Sequence, residues 1–173
     1  MDIDELIQVV PYNEQWDTLF QNEKINLLEI FEETAVDIQH FGSTAISGMC
    51  AKPIIDILAG VKSLELHNSI ISQLRKLGYE EFGEAGVEGR LYFRKRHVHA
   101  YNLAVVVWNG EHWVNNLLIR DYLKKNPDIA KQYSEKKLKT IQNGHTTLLS
   151  YSDEKADYVE DLLKQAKQHI KYT

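Results

Sequence analysis

The chain has 173 residues, 43% of them hydrophobic and 26% charged, enough for one globular domain over residues 1–173 that needs no metal or disulfide to hold its core. A formal charge of −5 argues against broad binding to a nucleic-acid backbone, and a single cysteine, Cys50, rules out an internal disulfide and a cysteine-based zinc site. The acidic start MDIDELIQVV lacks the marks of a secretory leader, and the longest apolar run, Leu103 to Trp108, is too short for a bilayer, so a cytoplasmic protein without a membrane partner is expected.

Asn13, two residues after Pro11, is placed to cap a first helix whose apolar stripe is Trp16, Phe20, Leu27 and Phe31, widened by Leu19 and Ile30, and which ends near Thr34. Residues 35–41 alternate as a strand, and residues 54–61 (IIDILAGV) read as a second, more buried one. Ser63 is expected to cap a helix with Leu66, Ile70, Leu74 and Leu77 on one face and Gly78 at its C-terminal end. A glycine-spaced segment (Gly83, Gly86, Gly89) precedes strand-like runs at 90–96 and 98–108, with Asn109-Gly110 as a turn. Three helices follow: one from Glu111 to Lys124, one opened by Asn126-Pro127 and closed by Gly144, and one opened by Ser152. The last is expected to bury Ala156, Val159, Leu163, Ala166 and Ile170, whereas Lys131, Lys136, Lys137 and Lys139 read as a solvated helix face. The pattern is α/β, a mixed sheet flanked by helices with a helical C-terminal third.

The stretch HFGSTAISGMCAKPIIDILAGV, His40 to Val61, holds the chemistry. In a strand Asp56 shares a face with Ile54 and Leu58, so its carboxylate has to meet a cation, hydrogen-bond donors or a metal. Lys52, His40, Arg90, Arg94, His97 and His99 are the candidate partners. Gly42, Ser43 and Thr44 directly after a strand supply a permissive backbone, open N–H groups and two hydroxyls, the ingredients of a phosphate cradle, although no Walker A lysine follows. On spacing alone, a structural turn with a buried ion pair is the first reading and a phosphate cradle beside a metal-binding carboxylate the second. Arg90 and Arg94 lie on one face of a basic strand and are candidate anion ligands. His97, His99 and Tyr101 share a face that reads as a polar sheet edge or, alternatively, a one-sided metal site. Arg120 and Asp121 read as an ion pair holding a helix to the sheet, and Trp108, Trp113 and Tyr122 as core or core-edge aromatics.

The motifs VPYNEQW (10–16), HFGSTAISG (40–48), AKPIIDIL (51–58) and RDYL (120–123), then Pro127, Ala130, Tyr133, Lys137, Tyr151 and Lys155, resemble those of the GrpB family from about Val9 to Ala166. These small bacterial proteins are related in fold to the nucleotidyltransferase superfamily. The resemblance implies that fold and a site at Gly42, Ser43 and Asp56, with Lys52 as a phosphate or carboxylate partner, Mg²⁺ as the expected cofactor and a nucleotide or other phosphorylated small molecule as ligand. Members of that superfamily hold Mg²⁺ with carboxylates at Asp-x-Asp or Asp-x-Glu spacing; here the second position is Leu58. Two expectations stand side by side: a metal-dependent nucleotidyltransferase with Asp56 catalytic, and a binding or accessory module that kept the cradle without turnover. The first needs a further carboxylate, for which Glu84 and Glu88 are the nearest candidates in sequence.

Overall fold

The computed structural model describes residues 4–171. Helix α1 (Gln15–Phe31) buries Trp16, Phe20, Leu27 and Phe31, the expected stripe, and Asn13 Oδ1 accepts from the Gln15 N–H at its start. The gap in that stripe is filled by Glu23, 4% exposed, which Lys95 meets at 2.9 Å. Strand β1 (Ala35–Phe41) runs antiparallel to β2 (Ile54–Val61), and β2 runs parallel to β5 (Ala100–Val107). Strand β4 (Arg90–Arg96) pairs antiparallel with β5, and the two-residue β3 (Glu80–Glu81), absent from the sequence reading, completes the order β1-β2-β5-β4-β3.

One face of this sheet presents Ile38, Ile55, Ile57, Phe93, Leu103 and Val105 to α1 and to α2 (Asn68–Lys76), forming the main core. Ser63 does not cap α2; the cap is His67, whose ring nitrogen accepts from the Ser69 N–H. The other face carries Leu58, Ala104 and Val106 beneath Trp113 of α3 (Glu111–Lys125). Gly60 lets Trp108 and Trp113 approach, since a Cβ there would lie 2.8 Å from both rings.

Helices α4 (Pro127–Gln142) and α5 (Leu148–Lys171) close over that second face at the end where β2 begins. Helix α5 starts at Leu148, four residues before the expected Ser152, because the backbone around Glu5 docks on its first turn: Leu148 N–H donates to the Glu5 carbonyl at 2.8 Å. Of the expected stripe of α5, Ala166 is buried and Val159 and Leu163 are half-buried, whereas Ala156 and Ile170 are exposed; Tyr151 and Leu162 are buried in addition. Tyr133 and Tyr158 stack at 5.0 Å between α4 and α5. Among the described residues no helix is long and apolar enough to cross a membrane.

Candidate functional site

Register decides what surrounds Asp56. Its Cα partners are Phe41 on β1 and Asn102 on β5, so the Gly42 turn follows immediately beside it. Gly42 has φ +69, and a Cβ there would sit 2.6 Å from Asp56 Oδ2, so the position excludes side chains both by backbone conformation and by space. The carboxylate meets an amide: Asn102 Nδ2 donates to Asp56 Oδ1 at 2.7 Å. Asn102 is held in that orientation by Arg96, which donates to its Oδ1 at 2.8 Å and is itself paired with Glu5. A relay thus runs Glu5, Arg96, Asn102, Asp56.

Above Asp56 three lysines converge on one cavity of about 570 Å³. Lys52 leads into β2, Lys137 comes from α4 and Lys155 from α5. Lys137 is 1% exposed; its Nζ lies 2.5 Å from Ser43 Oγ and 2.9 Å from the Cys50 carbonyl, over the Tyr133 ring at 4.5 Å. Both Lys155 and Lys52 lie over the Tyr151 ring, at 4.9 and 5.5 Å. Burial drives the Lys137 ammonium down to about 7, with Lys155 and Lys52 adding repulsion that Cys50 and Asp56 oppose. Lys52 is pushed to about 8 by burial and then by Lys155, and burial lowers Lys155 as well. Arg90 and Arg120 also line this cavity, with Asp56 and Asp153 as its acids, so among the described residues five cationic side chains face two acidic ones. Apolar wall comes from Ile119, Leu148 and Val159.

The residues singled out in the sequence fall into two groups. Gly42, Ser43, Thr44, Lys52, Asp56 and Arg90 meet at the cavity. Arg90 is anchored there by the carbonyls of Glu84 and Ala85 and stacks on Tyr92 at 4.6 Å. Thr44 is buried and its hydroxyl bonds His40 Nε2 at 2.9 Å; His40 itself lies on the opposite face of the sheet, stacked on Phe20, and burial holds its pKa down to about 4. It is not the partner of Asp56. Arg94 is withdrawn from the cavity and paired with Glu5 at 2.6 Å. His97 and His99 are exposed on the turn between β4 and β5, and among the described residues no three His, Cys, Asp or Glu side chains are grouped to hold a metal.

Glu84 and Glu88 do not reach Asp56. Glu84 closes its own loop by accepting from the Gly89 N–H, and both side chains are exposed. Leu58 is fully buried against Ala104, Val106 and Trp113, so the second carboxylate position of the superfamily pattern is part of a core. Arg120 does hold its helix to the sheet, donating to Gln39 Oε1 and the His40 carbonyl as well as to Asp121. Lys137 corrects the expected solvated face of α4. It could have been found: Tyr133-x₃-Lys137 and Tyr151-x₃-Lys155 repeat one spacing, and four residues is one helical turn, so each lysine lies over its own tyrosine.

The family model described as GrpB protein matches residues 6–165. A glutamate-rich protein GrpB from Alkalihalophilus pseudofirmus is 36% identical over 91% of this chain and 94% of its own length. The UPF0157 protein YqkA from Bacillus subtilis is 34% identical over 93% of this chain, which spans about half (47%) of that relative. The crystal structure of GrpB from Enterococcus faecalis superimposes with a TM-score of 0.86 at 28% identity, covering 94% of this chain and 99% of the other. A cytoplasmic RNA terminal U-transferase shares the fold more distantly, with a TM-score of 0.50 at 14% identity over 75% of this chain and 41% of that one. The sheet order, the helical C-terminal third and the family match across nearly the whole chain agree: this protein belongs to the GrpB family and has a nucleotidyltransferase-like α/β fold.

Proposed function

We propose that the cavity binds a phosphorylated small molecule, a nucleotide foremost, with Lys52 and Lys155 against the phosphates, the Gly42–Ser43 turn beside them and the apolar wall against the base. The observation that carries this reading is the convergence of three buried or half-buried lysines on Ser43 and Asp56 in one cavity. Such a cluster is costly without an anion, because each ammonium gives up water and repels its neighbours. A volume of about 570 Å³ also lies within the range of small-ligand sites.

The Mg²⁺ that the resemblance implies depends on the donors the site offers. Divalent ions that bridge phosphates are held by clustered carboxylates, whereas Asp56 has an amide, Asn102, beside it and Leu58 two residues on. These residues do not fit a pair of ions. Lysines supply the positive charge that such ions would otherwise bring, and the reading therefore expects phosphate binding that does not depend on a divalent cation. The alternative, a metal-dependent nucleotidyltransferase acting on a small acceptor, is favoured by one feature, the direct apposition of Gly42 and Asp56.

Calorimetry and melting with a panel of nucleotides and sugar phosphates, with and without Mg²⁺, tests both. Ligand at a hundred times Kd should add about 2.7 kcal/mol of stability without Mg²⁺. Lys155→Met should remove most of that gain while the unliganded protein melts no lower. Binding seen only with Mg²⁺ favours the transferase, and absence of any shift across the panel defeats both readings.

A further inference from the structure

We propose that Ser43 is a nucleophile and Lys137 its general base, so that the protein forms a phosphoester on Ser43 from the phosphorylated ligand it binds. The substrate class rests on the function proposed above; the nucleophile rests on geometry of its own. A serine hydroxyl becomes reactive when a base lies within hydrogen-bond reach and a third group fixes that base. Here Lys137 Nζ is 2.5 Å from Ser43 Oγ, and the Cys50 carbonyl, 2.9 Å away, takes one of its N–H groups. With Lys137 neutral, its lone pair can accept from the Ser43 hydroxyl while an N–H still donates to the Cys50 carbonyl, the arrangement a base requires.

The surroundings favour that neutral form. Lys137 is sealed from water, with Tyr133 beneath it, and burial foremost, then Lys155 and Lys52, lower its proton affinity, opposed by Cys50 and Asp56. Ser43 lines the cavity and is half-buried, so a ligand can reach the oxygen that Lys137 holds from behind. Lys137 lines the cavity with Lys52 and Lys155, but its Nζ is engaged by Ser43 and the Cys50 carbonyl. In the step, Ser43 Oγ bonds to a phosphorus of the ligand, the bond from that phosphorus to the departing phosphate oxygen breaks, and the Ser43 proton passes to Lys137. Lys52 and Lys155 offset the charge that collects on the phosphoryl oxygens and the leaving group.

Intact-mass spectrometry of the full chain provides the test, after incubation with nucleoside triphosphates and, separately, with a fluorophosphonate, whose fluoride leaves when a serine oxygen attacks phosphorus. Nucleotide binding is followed by melting shift in the same samples. The expected result is a single adduct that peptide mapping places on Ser43, absent in Ser43→Ala and slowed on the order of 10²-fold in Lys137→Met. Lys137→Arg, which keeps a cation but no base at neutral pH, should be slowed likewise, and covers the case in which the methionine variant does not fold. In the wild type the fluorophosphonate rate should rise with pH through about 7, a readout that needs no variant. A nucleotide melting shift with no adduct from either reagent overturns the nucleophile and leaves the binding reading standing. A fluorophosphonate adduct on Ser43 with no nucleotide shift does the reverse. An adduct formed as fast in both Lys137 variants, or a flat pH profile, also overturns the pairing.

Discussion

Lys137 occupies the place on α4 where Ala130, Tyr133 and Thr140 mark the buried stripe, and it is tolerated there because its stem packs apolar surface while Nζ finds Ser43 and the Cys50 carbonyl. Asp56 has the converse problem, a carboxylate flanked by aliphatics, and it is met by Asn102 and by the positive potential of the lysines. The same charge sits where phosphates are expected, so Asp56→Asn separates two roles. If lysines alone hold the ligand, removing the carboxylate relieves a repulsion, and Mg²⁺-free nucleotide affinity should rise on the order of tenfold. Stability should fall by about 1–2 kcal/mol, because the charge-assisted bond from Asn102 becomes a neutral one and the lysines lose a counter-charge. Calorimetry with and without Mg²⁺ reads the first effect and denaturant melts the second. An affinity that falls, together with loss of any Mg²⁺ stimulation, would return Asp56 to a metal-holding role.

At the scale of elements, regular patterns were legible and cross-element pairings were not. Strands β1, β2 and β4 fall on the residues where alternation or an unbroken apolar run places them, and α1 buries its expected stripe, because these signals are local. The start of α5 is not legible at Leu148, since its cause, the Glu5 backbone docking there, lies over 140 residues away in sequence. For the same reason the Gly42, Ser43 and Asp56 part of the site is legible, whereas Lys137, though a motif residue, reads as part of a solvated helix face, and the pairing of Asn102 with Asp56 is set by strand register. Glu23 belongs to this class too: it interrupts the apolar stripe of α1 only to meet Lys95 of β4. That pair makes α1 specific to its place on the sheet. Glu23→Ala should cost about 3–5 kcal/mol by leaving Lys95 largely buried and unpaired, while the double change Glu23→Leu with Lys95→Met should restore most of the loss. Urea melts of both variants check it, and an equally unstable double variant would show that packing, not charge, is what Glu23 supplies.

Across the whole molecule the fold gathers groups that hold fewer protons than they would in the unfolded chain, and this makes stability depend on pH in a direction that can be worked out. Lys137 and Lys52 titrate near 7 and 8 in the native state but at 10.5 ordinarily, and Lys155 is lowered too. Between those values the unfolded chain binds more protons, so stability rises with pH from about 7 to about 10. His40, lowered from 6.5 to about 4, adds a rise of the same sign in that more acid window. Burial acts oppositely on the tyrosines: it raises Tyr92 and Tyr101 to about 12 and also raises Tyr79, Tyr133 and Tyr151, so above about 10 the unfolded chain loses their protons first and stability turns down. An anionic ligand responds the other way, since it needs the lysines charged, and its affinity should weaken as pH rises through about 8. Ligand-free stability and nucleotide affinity are therefore expected to move in opposite directions across the same range. Urea melts at intervals from about pH 6 to about pH 10, each with and without a saturating nucleotide, measure both slopes at once. A ligand-free stability that is level or falling between about 7 and 10 would mean that the three lysines stay charged in the fold at no net cost, and neither burial nor mutual repulsion would then give the cluster a need for an anion.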